Sequence, residues 1–210
     1  MVKDAALQRQ ISVMAVSGVS MDHRIISDGD ELCLLPEELD AFATSVLKVR
    51  RASGAARIVA RELLSDLGHS HQAIPKSASG APIWPSGIVG SLAHDSRVAV
   101  AAVAMRRDFC SVGVDVEPTA EIDADICDLV LTKSERQGVH KIPHFGRLIF
   151  AVKEAVYKAV YPLDRTFLEY HDVEVSLSEG TAAVRTGRVV PFHHCVGDHI
   201  IALAFIPSSP

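Results

Sequence analysis

The sequence predicts an α+β fold. Two long stretches of helical periodicity are each followed by apolar runs of strand length, and the chain closes in what reads as an antiparallel meander. Cys110–Glu117 alternates cleanly, with Val112, Val114 and Val116 on one face and Gly113, Asp115 and Glu117 on the other. With 210 residues, 48% of them apolar, the chain is long enough to bury a large core.

The elements follow in order. Ile11–Val16 is a short apolar run of strand type, and a polar, acidic stretch follows it. Pro36-Glu37-Glu38 has the form of a helix start. Asp40–Leu67 reads as helical, with an interruption near Ala52-Ser53-Gly54. Its second half carries Ala56, Ala60, Leu63, Leu64 and Leu67 at helical spacing, and Gly68 supplies the stop. His69–Gly87 is a Pro-, Ser- and Gly-rich loop in which Trp84 reads as a packing anchor. Order resumes at Ile88–Leu92 and Val98–Ala104, and Pro118 ends the alternating strand. Ile122–Leu131 and Ser134–Val139 predict short helices. Arg147–Tyr161 predicts a long one closed by Pro162. Val173–Leu177, Ala182–Arg185 and Ile200–Ile206 form the expected meander, with Ser178-Glu179-Gly180 as its first turn.

Composition excludes several function classes. A formal net charge of −5 speaks against nucleic acid held by a general basic surface, so any basic site must be local. The four cysteines are scattered with no C-x-x-C pair, which fits a reduced cytoplasmic compartment better than a disulfide framework. The longest apolar run, near Val98–Met105, falls far short of the roughly 20 residues of a membrane span. A soluble protein without membrane or nucleic-acid partners is expected. His193-His194-Cys195 lacks a fourth ligand for zinc, and His69 and His71 read as loop residues.

The chemistry concentrates in two stretches. On a strand, Asp115 and Glu117 project together, and two adjacent carboxylates raise one another's pKa unless a cation sits between them. Oxygen-only ligands of this kind favour Mg²⁺, with Mn²⁺ as the alternative. Glu154 would add a third carboxylate from the second long helix, where Lys158 shares its face at i+4. Lys153, Glu154 and Lys158 stand in a helix that is otherwise apolar nearly all round, and charges in a buried helix need partners. A metal-bound phosphate would provide them.

These residues carry a family resemblance. Gly113-Val114-Asp115-Val116-Glu117 and Phe150-Ala151-Val152-Lys153-Glu154-Ala155-Val156-Tyr157-Lys158 fit G-[IV]-D-[IV]-E and [WF]-x-x-K-E-A-x-x-K at every fixed position. Blocks at Arg57–Gly68, Gly80–His94 and Phe167-Leu168 match in order. The chain resembles the larger, single-chain 4′-phosphopantetheinyl transferases, the enterobactin-type branch in particular.

The resemblance implies an α+β fold of two similar halves related by a pseudo-twofold axis, 1–106 and 107–210, in one compact monomeric unit. It implies transfer of 4′-phosphopantetheine from coenzyme A to a serine of an apo carrier protein, with Mg²⁺ and release of 3′,5′-ADP. Asp115, Glu117 and Glu154 match the metal-binding acids, Glu154 being also a candidate base, and Lys158 matches the lysine at the phosphates. Arg57 and His94 match coenzyme A phosphate contacts. Arg50, Lys76, Ser91 and Lys153 are further candidates for that role. A Mg²⁺-dependent phosphohydrolase and a non-catalytic coenzyme A-binding module are the alternatives.

Overall fold

The computed structural model describes residues 3–139 and 142–208. In chain order the elements are α1 (Ala5–Val13), β1 (Val19–Ile25), α2 (Pro36–Leu39), α3 (Leu47–Asp66), β2 (Ile88–His94), β3 (Val98–Met105) and β4 (Phe109–Pro118). Then come α4 (Ala124–Val130), α5 (Phe145–Asp164), β5 (Val173–Ser176), β6 (Thr181–Val184), β7 (Val189–Val196) and β8 (His199–Pro207). The strands form two antiparallel sheets, ordered β1-β3-β2 and β4-β8-β7-β6-β5. The α+β expectation is met.

Alternation along the strands sorts the core into layers. Ala101 and Val103 of β3 turn toward α3, where they meet Val59, Ala60, Leu63 and Leu64. Ile200, Ala202 and Ala204 of β8 turn toward α5 and pack with Ala151, Ala155, Val156 and Ala159. The opposite faces meet each other: Val89, Ala93, Val100 and Ala102 of the first sheet against Val112, Val114, Val116, Ile201 and Leu203 of the second. Each of the three β4 valines is almost wholly buried, a gain of about 1.5–3 kcal/mol apiece over exposure. One twenty-residue helix therefore backs each sheet, and β4 packs against both β2 and β3.

Several elements depart from the sequence expectation for local reasons. Ile11–Val16 is not a strand. Asp4 caps α1, its Oδ1 accepting from the amides of Ala6 and Leu7 at 2.8 and 3.1 Å, and Leu7, Ile11 and Met14 bury at helical spacing. Helix α3 is not interrupted at Gly54. A Cβ there would stand 2.0 Å from the Asp30 carbonyl oxygen, so the glycine admits the neighbouring 3₁₀ turn Asp30–Cys33. Gly68 does stop α3, at φ +84°, with the His69 amide donating to the Leu64 carbonyl at 2.8 Å.

Helix α5 passes Pro162 and ends at Asp164, where the Arg165 amide donates to the Tyr161 carbonyl. The segment expected as a helix over Ser134–Val139 is a 3₁₀ turn, Glu135–Gly138. Strands β1 and β7 were hidden by polar residues: β1 carries Asp22-His23-Arg24 with His23 fully buried, and β7 carries Pro191 and two histidines. Among the described residues no helix is long and apolar enough to cross a membrane.

Candidate active site

The site forms where β4 packs on α5, beside the end of β2. Gly113 sets that approach: a Cβ there would lie 2.0 Å from the Ala155 carbonyl oxygen and 2.6 Å from the Ala159 nitrogen. Glycine lets the helix backbone close onto the strand. With the valines of β4 turned to the inter-sheet core, Asp115 and Glu117 face α5, as the alternation predicts.

The three acids reach one region without converging on one point. Asp115 is 7% exposed, and its Oδ1 accepts from Lys158 Nζ at 2.7 Å. The same ammonium donates to the Val114 carbonyl at 3.1 Å. Asp115 Oδ2 is buried and has no hydrogen-bond partner among the described residues. Glu117 Oε2 accepts from Arg147 Nη1 at 3.0 Å, and Glu154 Oε1 accepts from the Tyr170 hydroxyl at 2.9 Å. Among the described residues no three His, Cys, Asp or Glu side chains are gathered as a closed metal cluster.

The acids act on one another electrostatically. Burial raises the Asp115 pKa, against the pull of Lys158, and the Glu154 charge adds to the rise. Burial likewise raises Glu117, with Asp115 next in effect, and Asp95 adds further to the rise. Tyr170 is pushed upward by burial and then by Glu154, so its phenol stays protonated as a donor to that carboxylate. An unpartnered buried carboxylate oxygen in an all-oxygen set fits a hard divalent cation, which would offset the mutual repulsion.

The basic candidates are His94 at the end of β2, Arg57 of α3 and Lys76 of the loop between them. His94 keeps an exposed face, yet the protein around it lowers its pKa, and the charges of Lys158 and Lys76 push it further down. Lys76 is lowered by desolvation and then by Arg57, and its ammonium stands 4.2 Å from the Phe42 ring centroid. Arg57 is 2% exposed; its Nε donates to the Ile74 carbonyl at 2.9 Å and its Nη1 to the Ser53 carbonyl at 3.2 Å. Arg57 Nε also lies 3.7 Å from the buried carboxylate of Glu38, while burial, Lys158 and Lys76 together hold His94 toward its neutral, hydrogen-bonding form.

Three candidates stand elsewhere. Lys153 is 2% exposed, and its ammonium donates to Glu135 Oε2 at 2.7 Å, the Val130 carbonyl at 2.8 Å and the Tyr170 carbonyl at 2.9 Å. All three of its protons are used inside the protein, which corrects its reading as a coenzyme A contact. Ser91 is 4% exposed and lies three residues before His94 on β2, so its side chain points to the opposite face, with Val89 and Ala93 in the inter-sheet core. Its hydroxyl does not assist His94. Arg50 is exposed near the start of α3 and has no hydrogen bond among the described residues that ties it to the site.

Sequence reasoning missed Arg147 and Tyr170, which orient Glu117 and Glu154. Arg147 lies seven residues before Glu154, two helical turns away, a spacing that could have flagged it. Tyr170 lies beyond the helix and had no sequence signal. It also borders a pocket of about 360 Å³ lined by Leu129, Glu154, Tyr157, Phe167 and Leu168.

Comparison with known proteins agrees with this arrangement. A family model described as the 4′-phosphopantetheinyl transferase N-terminal domain matches residues 36–104, and one described as the 4′-phosphopantetheinyl transferase superfamily matches residues 111–204. The 4′-phosphopantetheinyl transferase Npt of Nocardia iowensis is 39% identical over 164 residues, 72% of this chain and 74% of the relative. The 4′-phosphopantetheinyl transferase PptT of Mycobacterium tuberculosis is 36% identical over 170 residues, 79% and 74% of the two chains. Enterobactin synthase component D of Salmonella typhi is 31% identical over 136 residues, 61% of this chain and 55% of the relative. With the two models matched in order over residues 36–104 and 111–204, and relatives 39% and 36% identical over more than two thirds of both chains, the chain belongs to the 4′-phosphopantetheinyl transferase superfamily and is a transferase of that kind.

Proposed function

We propose that this enzyme moves 4′-phosphopantetheine from coenzyme A to a serine of an apo carrier protein and releases 3′,5′-ADP. The observation that carries this reading is the meeting of two side-chain sets. The buried Asp115, with its unpartnered oxygen, and the part-buried Glu117 and Glu154 meet, around Lys158, a second set made of His94, Lys76 and Arg57. A diphosphate ester carrying a further phosphate matches both.

In this reading Arg57, Lys76 and His94 bind the phosphates of coenzyme A from one side. Lys158, already held against Asp115, presents its charge to the diphosphate from the other. Asp115, Glu117 and Glu154 would hold Mg²⁺, which stabilises the charge that develops on the diphosphate oxygens. Glu154 takes the serine proton, the serine oxygen bonds to the β-phosphorus, and the bond to the leaving phosphate oxygen breaks. Tyr170 keeps the Glu154 carboxylate aimed by its hydrogen bond. The apolar pocket beside Glu154 suits the pantetheine arm. We place the join between the halves at the turn from β3 to β4, after residue 106, and expect a monomer because one chain supplies both sides of the site.

The discriminating experiment follows 3′,5′-ADP by chromatography with Mg²⁺ and coenzyme A, with and without an apo carrier protein. Transfer predicts release only with the carrier. Release without it would favour a phosphohydrolase, and no release with several peptidyl and acyl carriers would sink the assignment.

A further inference from the structure

From the geometry we infer that Asp95 and His199 act as a positioning clamp, setting how far His94 stands from the acids of β4. This rests on the reading that coenzyme A spans the two sheets. Asp95 directly follows β2 and His94, and His199 opens β8 opposite Pro118, the last residue of β4. His199 Nε2 lies 3.2 Å from Asp95 Oδ2, with both side chains almost fully buried.

Each partner is itself fixed. Asp95 Oδ1 accepts from the amides of Arg97 and Val98, both at 2.7 Å, so the carboxylate closes the β2–β3 turn with one oxygen and meets His199 with the other. The Asp95 amide donates to the Val98 carbonyl at 3.0 Å. The His199 carbonyl accepts from Gln10 Nε2 at 3.2 Å and from the Gly197 amide at 3.0 Å. A shift of either partner therefore carries its strand end with it.

The pair also lies beside the acids: His199 is paired with Pro118, the residue after Glu117, and the Asp95 charge adds to the rise in the Glu117 pKa. Burial works against ionising Asp95, yet the His199 ring and the two turn amides together draw its pKa below the ordinary value. The clamp touches no substrate in this account. It joins the end of the strand that carries His94 to the start of β8, which is paired with the end of the strand that carries Asp115 and Glu117.

The test compares His199→Phe, His199→Gln and Asp95→Asn by KM for coenzyme A, KM for the carrier, kcat and melting temperature. Glutamine can still donate to Asp95, and asparagine keeps the oxygen that closes the turn. The clamp predicts that His199→Phe raises KM for coenzyme A about tenfold, because small misplacements of binding groups are costly, with KM for the carrier unchanged. His199→Gln should return KM toward wild type, and Asp95→Asn should raise it by a smaller factor. A lower melting temperature with unchanged KM for coenzyme A would overturn the clamp and leave a structural contact. If His199→Phe fails to fold, Asp95→Asn decides on the same readout. A wild-type protein that transfers nothing would overturn the functional reading itself.

Discussion

Lys158 and Asp115 form a 2.7 Å ion pair that crosses from α5 to β4 and leaves the second Asp115 oxygen buried without a hydrogen-bond partner among the described residues. Removing either partner of a buried pair costs more than the pair itself contributes. In the proposed reaction that oxygen is where the pair would meet Mg²⁺.

Gly113→Ala tests whether the approach of helix to strand builds the site. The new Cβ would meet backbone at 2.0 Å, which no side-chain rotation relieves. Overpacking of this kind costs about 1–3 kcal/mol, read as a lower urea midpoint. Transfer should fall by more than the folded fraction does, because Asp115 and Lys158 are moved apart. Wild-type turnover in the folded variant would show that close packing at this point is dispensable.

Lys153→Met separates structure from binding. Glu135 accepts from Lys153, from the Thr132 amide and from the Val175 amide, and it would lose its buried counter-charge. The expected loss is about 3–5 kcal/mol of stability, with KM for coenzyme A unchanged in the protein that folds. A raised KM without a stability loss would return Lys153 to the substrate.

Metal binding should appear without turnover. Mg²⁺ at one hundred times its dissociation constant should add about 2.7 kcal/mol to stability, raising the melting temperature by a few degrees. Asp115→Asn should remove that increment, since Asp115 supplies the free oxygen. An equal rise in both proteins would place the ion elsewhere.

Acid stability has a separate source at β1. Burial works to raise the Asp22 pKa, but His23 and Lys3 outweigh it and bring it from 3.8 to about 2. Its folded pKa is depressed, so its contribution is present above pH 3.8 and is lost as pH falls toward 2. After solvent screening this amounts to about 1 kcal/mol. The stability difference between wild type and Asp22→Asn, followed by urea titration, should shrink across that window. A difference independent of pH would deny the assignment.

The parts of the site that lie on β4 and α5 were readable because strand and helix periods alone decide which way Asp115, Glu117, Glu154 and Lys158 face. Ser91 was misplaced because three residues along a strand reverse the face, whereas a loop would not. Lys153 was misread because its partners, Val130, Glu135 and Tyr170, come from three separate segments that no local pattern connects. Tyr170 escaped for the same reason, whereas Arg147 stands two turns before Glu154 on one helix and was within reach of the helical period. The strand expected at Ile11–Val16 shows a cap overruling composition, since Asp4 starts a helix that takes in the run's first half, to Val13.

The most direct test is the intact mass of an apo carrier protein after incubation with coenzyme A, Mg²⁺ and either wild type or Glu154→Gln. The account predicts gain of one phosphopantetheinyl group on the serine with wild type. With Glu154→Gln, which should unfold as cooperatively as wild type, it predicts a rate lower by roughly 10²-fold or more. Modification by the variant at near-normal rate would contradict the role given to Glu154, and an unmodified carrier with wild type would contradict the account as a whole.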